Sequence, residues 1–277
     1  FDGAGYAFLL TIITSYCLWL ISQSLLLQQQ LLFIGVIISF MIISFVVFSL
    51  LYGYLEYQRR LQTITMFDRF LHPHVVRKLL KEQQLSPEKL NKKQVITVLF
   101  SDIRNFTKLS ETKPAEDVLQ LLNNYFEQQL EVIFDHKGTL DKFIGDCLMS
   151  FWGAPLDNPN HAVSAIAAAL AMEKALLAFK ETLPESLSGF DVGIGINTGE
   201  CIVGMIGANS RLDYTVIGDT VNLASRIEGL TKNNHRILVS QSSKESSEHV
   251  YDFEFVGEYQ VKGRHELVKV YRPLGLK

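Results

Sequence analysis

Two aspartates beside short turns are the residues of this chain best suited to bind a metal ion. Asp102 follows an apolar, β-branched run, Val95–Phe100, which predicts a buried strand. Asp146 belongs to a Gly-Asp pair, typical of a hairpin turn, between predicted strands at Gly138–Ile144 and Cys147–Trp152. If the ends of these strands lie side by side, the two carboxylates can bind Mg²⁺ and, beside it, a triphosphate. The alternative is that each aspartate only closes its own turn.

A third group of polar residues lies further along the chain. Asn222 and Arg226 are four residues apart on a predicted helix, Asp219–Leu230, and therefore share one face of it. Lys262 follows in a Val-Lys-Gly stretch. Amide and cationic donors of this kind stabilise the transition state of phosphoryl transfer. The group is therefore a candidate for binding phosphate.

Alternating helix and strand patterns must position these residues. From Gln94 onward the chain favours the order β-α-β-β-α-β, which is the order of a ferredoxin-like unit, with strands added after it. We therefore predict a mixed fold, α/β in its alternation and α+β in its class. Besides the elements above, we predict helices at Pro114–His136 and Pro159–Leu183, and strands at Phe190–Asn197 and Cys201–Ile206 that flank a turn at Thr198-Gly199.

Charge is distributed very unevenly along the 277 residues. Residues 1–55 carry one charged side chain, Asp2, and contain two uncharged runs of about 7–27 and 31–55, separated by three glutamines. Each run is long enough to span a bilayer, which takes roughly 20 apolar residues. A signal peptide would need a basic start and a shorter apolar core, and the first run has neither. We therefore predict two transmembrane helices joined by a tight turn.

The orientation of this hairpin follows from Arg59 and Arg60, just past the second run. Basic residues beside a span favour the cytoplasmic side. We expect a multi-pass protein of the cell membrane with both ends of the chain in the cytoplasm. The chain starts at Phe1 rather than Met, so we expect a fragment or a processed chain.

Residues 56–93 form a charged linker with an amphipathic helical pattern between Phe67 and Leu80, broken at Pro73. It could be a plain spacer, or an element that couples the membrane segment to a paired partner. The net charge of −3 argues against binding to nucleic acid. Three cysteines without a Cys-x-x-Cys spacing form neither a disulfide framework nor a zinc site.

Several separated motifs together resemble the class III nucleotidyl cyclases, the adenylyl and guanylyl cyclase family. The resemblance covers about residues 94–272, within a predicted catalytic domain of residues 94–277. The motifs are Phe-Ser-Asp-Ile-Arg-Asn-Phe-Thr (100–107), Asp-Lys-Phe-Ile-Gly-Asp (141–146), Asn-Thr-Gly (197–199), the Gly218–Arg226 stretch and Val-Lys-Gly (261–263). They occur in the order of the family.

The resemblance implies a role for each candidate. Two Mg²⁺ or Mn²⁺ ions would be held by Asp102, Asp146 and the Ile103 carbonyl. Lys142 and Thr215 match the pair that selects the purine, where guanylyl cyclases usually carry Glu and Cys. The substrate-binding and catalytic residues implied are Lys142, Thr215, Lys262, Asn105, Phe106 and Thr107 for binding, and Asn222 and Arg226 for catalysis. Many members have Gly in place of Asn105, and Asn is the residue next most tolerant of a left-handed backbone.

The implied function is that of a membrane-bound adenylate cyclase in intracellular signalling. It would convert ATP to 3′,5′-cyclic AMP and pyrophosphate in a homodimer whose two chains share each active site. The general base stays open among Asp102, a bound water and a phosphate oxygen. A guanylate cyclase and a catalytically silent nucleotide-binding domain are the alternatives.

Overall fold

A computed structural model of the chain describes residues 3–25, 31–67, 91–187, 189–208, 211–264 and 266–277. The chain divides into two compact units, Phe1–Met66 and Phe67–Lys277. The predicted turn at residues 28–30 and the predicted amphipathic pattern from residue 68 to residue 80 lie outside the described residues.

The N-terminal unit contains two helices, α1 (Gly3–Leu25) and α2 (Leu31–Phe67). The described parts of both predicted runs are helical, but α1 begins earlier than predicted and α2 continues well past residue 55. The continuation is expected physically, because residues 56–67 contain neither Gly nor Pro to end the helix. Within α2, the segment Ile37–Gln58 is long and apolar enough to cross a membrane, with a mean hydropathy of 2.2 and no buried residues.

The C-terminal unit consists of a sheet with helices packed against it. Its elements are β1 (Lys92–Ile103), α3 (Phe106–Thr112), α4 (Ala115–Asp135), β2 (Thr139–Ile144), β3 (Cys147–Trp152), α5 (His161–Thr182), β4 (Val192–Ala208), β5 (Arg211–Ile217), α6 (Asp219–Leu230), β6 (Ile237–Ser240), α7 (Gln241–Glu245), β7 (Tyr251–Tyr259) and β8 (Val268–Leu276).

The sheet confirms the predicted ferredoxin-like unit. Its strand order is β2-β3-β1-β4-β6-β8-β7, and β5 pairs with β4. The first four strands, with α4 and α5 between them, follow the order β-α-β-β-α-β, and the strands from β5 onward are the additions. The ladders β1–β3, β1–β4 and β2–β3 are all antiparallel.

Helix α5 is the other described segment that is long and apolar enough to cross a membrane. It is instead a core helix of this unit, because its small residues allow it to pack closely on the sheet. The side chains of Ala165, Ile166, Ala168 and Ala169 are all 0% exposed. The high hydropathy of α5 therefore reflects burial in protein.

The predicted turn at Thr198-Gly199 is wrong, because β4 runs unbroken through both residues. Thr198 lies opposite Thr97 of β1, and their buried hydroxyls are 2.8 Å apart. The glycine serves close packing: a Cβ atom on Gly199 would lie 2.6 Å from Oγ1 of Thr220, in the first turn of α6.

The same close packing predicts that Gly195→Ala destabilises the protein. A Cβ atom there would lie 2.6 Å from the backbone carbonyl oxygen of Ala224, so helix α6 would have to move. Overpacking of this kind costs about 1–3 kcal/mol. The matched control is Gly229→Ala, on an open face of α6, which should be neutral or stabilising by up to about 1 kcal/mol.

The measurement is thermal unfolding of the purified full chain by circular dichroism, with both variants beside the wild type. If Gly195→Ala melts no lower than Gly229→Ala, helix α6 does not approach β4 as closely as the structure has it.

Candidate active site

Strand ends bring the two predicted metal-binding aspartates together. Asp102 is the penultimate residue of β1 and lies opposite Cys147, the first residue of β3. Asp146 precedes Cys147 in the two-residue turn between β2 and β3, where Gly145 has a φ of 66°, a conformation that favours glycine. The carboxyl groups of Asp102 and Asp146 are close enough to share a hydrogen bond.

Burial, and after it the neighbouring acidic group, raises the pKa of Asp102. Burial raises the pKa of Asp102 to about 6, and the Asp146 carboxylate adds to the rise while Lys232 opposes it. A bound cation would relieve the repulsion between the two carboxylates, so they fit a divalent metal ion.

The ligand set available is small. Among the described residues no group of three or more His, Cys, Asp or Glu side chains could hold a metal ion. Two carboxylates suit Mg²⁺ nonetheless, since this ion usually takes one or two carboxylates and completes its shell with water and substrate phosphates. The acidic pair therefore fits a metal that is bound together with a phosphorylated substrate.

Glu228, which the sequence analysis did not single out, is a third carboxyl group near this pair. Burial raises its pKa to about 7, and the charge of Asp102 adds to the rise. Glu228 belongs to α6 where that helix crosses β4, and a Cβ atom on Gly193 would meet its Oε1 atom at 2.7 Å. The sequence signal was the glycine-rich start of β4, which indicates that an element crosses it closely.

The predicted purine-selecting residues meet at another carboxylate. Thr215, on β5, donates its hydroxyl to both oxygens of Asp141, at 2.9 and 2.7 Å. The Lys142 ammonium lies 3.1 Å from the Oδ1 atom of the same carboxylate. Strand β2 thus brings Lys142 and Thr215 together through Asp141, a residue that the sequence analysis quoted in a motif but gave no role.

The environment of Asp141 is unusual for a charged side chain, because it is completely buried while Lys142 remains 42% exposed. Burial raises the pKa of Asp141, and the Thr215 hydrogen bond and the Lys142 charge oppose that rise. The backbone N–H of Val216 also donates to Asp141, at 3.3 Å. Lys142 can therefore present its ammonium group outward while one side is held by Asp141.

Helix α6 carries the predicted phosphate-binding donors. Asn222 and Arg226 lie on it as predicted, Asn222 exposed and Arg226 partly buried. The Nη2 atom of Arg226 lies 3.3 Å from where a Cβ atom of Gly263 would be, and the exposed residue Lys262 precedes that glycine in the chain. The Nη1 atom of Arg226 is buried and has no hydrogen-bond partner among the described residues.

A buried guanidinium nitrogen without a partner is costly unless an acceptor arrives. A phosphate oxygen is an acceptor of the right charge, because arginine binds phosphate through several N–H groups at once. Arg226 thus fits a role in binding a phosphate group.

The turn after β1 has the backbone that the sequence predicted. Asn105 has φ 56° and ψ 28°, the left-handed conformation, and helix α3 begins directly after it at Phe106, followed by Thr107. Arg104 fixes the turn: its backbone N–H donates to the Asp191 carbonyl at 2.8 Å, and its guanidinium to the Thr231 carbonyl at 2.9 Å.

Comparison with known proteins gives a consistent family. The profile described as "Adenylate and Guanylate cyclase catalytic domain" matches residues 88–272. Adenylate cyclase 1 of Rhizobium meliloti is 38% identical over 186 residues, which is 66% of this chain and 28% of that protein. The chain spans less than half the length of this relative and of the adenylate cyclase of Anabaena cylindrica, of which it covers 44%.

Solved structures of both nucleotide specificities are similar to this chain. The adenylyl cyclase CyaB from P. aeruginosa is 36% identical with a TM-score of 0.61, over 68% of this chain and 97% of that one. The guanylyl cyclase Cya2 is 35% identical with a TM-score of 0.60, over 68% of this chain and 95% of that one. Similarity to solved structures therefore does not by itself choose between ATP and GTP, whereas the two curated relatives named above are both adenylate cyclases. The base-recognising side chains provide a further criterion.

Proposed function

The chain belongs to the family of adenylate and guanylate cyclase catalytic domains, and from this membership we propose that it is a membrane-bound adenylate cyclase. It would convert ATP to 3′,5′-cyclic AMP and pyrophosphate. In this reaction the ribose 3′-oxygen attacks the α-phosphorus, the bond to the pyrophosphate oxygen breaks, and the 3′-hydroxyl proton leaves. Production of cyclic AMP would make the protein part of intracellular signal transduction.

The observation that carries the proposal is the meeting of Lys142 and Thr215 on Asp141. An ammonium group can donate to N1 of adenine, which is an acceptor, whereas N1 of guanine carries a proton. The Thr215 oxygen can accept a hydrogen bond from the adenine amino group. A donor and an acceptor held on the same carboxylate are therefore complementary to adenine.

The other candidate residues act on the sugar and the triphosphate. Asn222 would orient the ribose, and the unpartnered guanidinium nitrogen of Arg226 would bind the α-phosphate as its charge increases. Lys262 would hold the outer phosphates. The turn of Asn105, Phe106 and Thr107 would present backbone N–H groups to them.

The acidic pair would hold the metal. Asp102 and Asp146, with the Ile103 carbonyl, are the protein ligands we propose for two Mg²⁺ or Mn²⁺ ions. Bound there, the ions would supply Lewis-acid activation of the 3′-hydroxyl and charge neutralisation on the triphosphate.

We further propose that two chains share each active site. The acidic pair of one chain would face the group formed by Lys142, Thr215, Asn222, Arg226 and Lys262 of the other. A closed two-fold dimer then contains two identical sites.

The test of the proposed function is an assay of the purified full chain with ATP or GTP and with Mg²⁺ or Mn²⁺, in which both cyclic products are measured. Cyclic AMP as the main product supports the proposal. Cyclic GMP as the only product would make the protein a guanylate cyclase. Absence of both cyclic products with every combination of nucleotide and metal ion would favour a catalytically silent domain.

The membrane arrangement leads to a prediction of topology. The apolar segment of α2 and the uncharged run before it favour two spans, and Arg59 with Arg60 favours a cytoplasmic C-terminal unit. Reporter fusions after Lys277 and ahead of Phe1 should therefore both read cytoplasmic. The matched control is a fusion at Gln29, between the two runs, which should read on the opposite side. A C-terminal reporter outside the cytoplasm would overturn the arrangement.

A further inference from the structure

Asp141 lies at an irregularity of strand β2. Leu140 is opposite Ser150 of β3 and Lys142 is opposite Met149, so Asp141 has no residue facing it in the ladder. An extra residue of this kind is a β-bulge, and bulges occur beside active sites, where they redirect a side chain. Here two consecutive residues, Asp141 and Lys142, form one ion pair, in which the Asp141 carboxylate is buried and the Lys142 ammonium is partly exposed.

Every described polar contact of the Asp141 carboxylate comes from a donor. These are the Thr215 hydroxyl, the Val216 backbone N–H and the Lys142 ammonium. An amide N–H and an ammonium group cannot accept a hydrogen bond, so this set of partners suits an ionised carboxylate. The site also connects β2 to β5, two strands that are not neighbours in the sheet.

The contact fixes the direction of the Thr215 hydroxyl. A threonine hydroxyl has one proton and two lone pairs. Because Oγ1 lies within 2.9 Å of both carboxylate oxygens, its proton must point at Asp141. Only lone pairs then remain for any other partner, so Thr215 can accept a hydrogen bond but cannot donate one.

We propose that Asp141 is a positioning residue that sets the hydrogen-bonding sense of the base pocket. It makes Thr215 a fixed acceptor and holds Lys142 as a fixed donor beside it. This inference rests on the proposed function, because it assumes that the two residues contact the purine. Adenine offers an amino group to such an acceptor, whereas guanine would set its carbonyl oxygen against it.

The competing explanation is that Asp141 only ties β2 to β5. Asp141→Asn separates the two, since it keeps the size of the side chain. Its amide N–H₂ can donate to Thr215, which frees the threonine proton to point at the base. The contact between β2 and β5 would then be largely kept, while Thr215 would no longer be restricted to accepting a hydrogen bond from the base.

The probe is a pair of substrates on the same enzyme: ATP and purine riboside triphosphate, which lacks the 6-amino group and is otherwise identical. We expect wild type to prefer ATP by at least about tenfold in kcat/KM, the usual effect of one pocket hydrogen bond left unpaired. In Asp141→Asn the preference should fall to within about threefold, and relative turnover of inosine triphosphate should rise. A general loss of folding would lower the turnover of both substrates by the same factor and leave the ratio of their kcat/KM values unchanged.

Variants of Thr215, the residue that donates to Asp141, complete the experiment. Thr215→Val should lose the preference as Asp141→Asn does, the double variant should lose no more than either alone, and Thr215→Ser should keep it. If Asp141→Asn fails to fold, Asp141→Ser tests the same point, because its hydroxyl can donate or accept.

Two results overturn the inference. One is a folded Asp141→Asn or Asp141→Ser enzyme that keeps the wild-type preference for ATP over purine riboside triphosphate, while Thr215→Val has lost this preference. The other is full additivity of the two losses in the double variant. Failure of the proposed function would look different, since wild type itself would then form no cyclic AMP or would prefer GTP.

Discussion

Asp102→Ala should abolish cyclic AMP formation and Arg226→Ala should lower it about 10²–10³-fold, yet a mixture of the two inactive chains should recover up to about a quarter of wild-type activity. The first change removes a carboxylate from the acidic pair at the end of β1. The second removes a guanidinium whose Nη1 atom is buried without a partner among the described residues. The two lesions lie in different halves of the proposed shared site.

The recovery follows from counting sites. With random pairing, half of the dimers contain one chain of each kind. In such a dimer one site carries both lesions and the other carries none, so a quarter of all sites are intact. The experiment is co-expression of the two variants with different affinity tags, followed by a cyclic AMP assay of the whole dimer population, for which the expected maximum is a quarter of wild type. Mixed dimers purified through both tags should reach up to about half, because one of their two sites is intact.

The matched control is a mixture of Asp102→Ala with Asp146→Ala. Both lesions lie in the acidic half, so every site of a mixed dimer retains one of them and no activity should return. If the Asp102→Ala and Arg226→Ala mixture stays as inactive as the control, although doubly tagged dimers are present, each site is built from one chain.

Local pattern was sufficient for most of the elements that position these residues. Helix α6 has the predicted bounds, and strand β3 likewise, because each begins and ends at a clear change of hydrophobic pattern. The two-residue turn with Gly145 was predicted for the same reason, since short turns have strong sequence preferences. Asn105 adopts the left-handed backbone that asparagine tolerates better than most residues.

The errors come from contacts between residues distant in sequence. The sequence predicts a turn at Gly199, but this position lies within β4, where Thr220 of α6 approaches too closely for a side chain. The local pattern gives no role to Asp141 or Glu228, because each interacts with a residue on a distant part of the chain. Thr215 lies 74 residues from Asp141, and Asp102, whose charge acts on Glu228, lies on another element. A single sequence shows which residues are near turns, but not which buried carboxylates face each other.

Exchange of the base-selecting pair is the second change with a large expected effect. Lys142→Glu with Thr215→Cys replaces a donor that suits adenine N1 by an acceptor that suits the N–H groups of guanine. A pocket whose hydrogen-bonding groups are left unpaired can discriminate by about 10⁴ or more. We therefore expect ATP turnover to fall and the ratio of GTP to ATP turnover to rise by up to that factor.

The buried Asp141 carboxylate allows the effect of this exchange on thermal stability to be predicted. The Lys142 ammonium now lies 3.1 Å from a carboxylate that is completely buried, so its replacement by Glu removes the partner charge and adds a like one. The double variant should melt lower than wild type, and a third change, Asp141→Asn, should recover stability by removing the repulsion. Lys142→Gln is the control, because it removes the donor charge without adding an anion.

The measurement is kcat/KM for ATP and GTP together with the melting temperature of each variant. A folded double variant that keeps the wild-type ratio would show that Lys142 and Thr215 do not contact the base. A shifted ratio without any loss of stability would show instead that the Asp141 carboxylate does not depend on Lys142 for its charge balance.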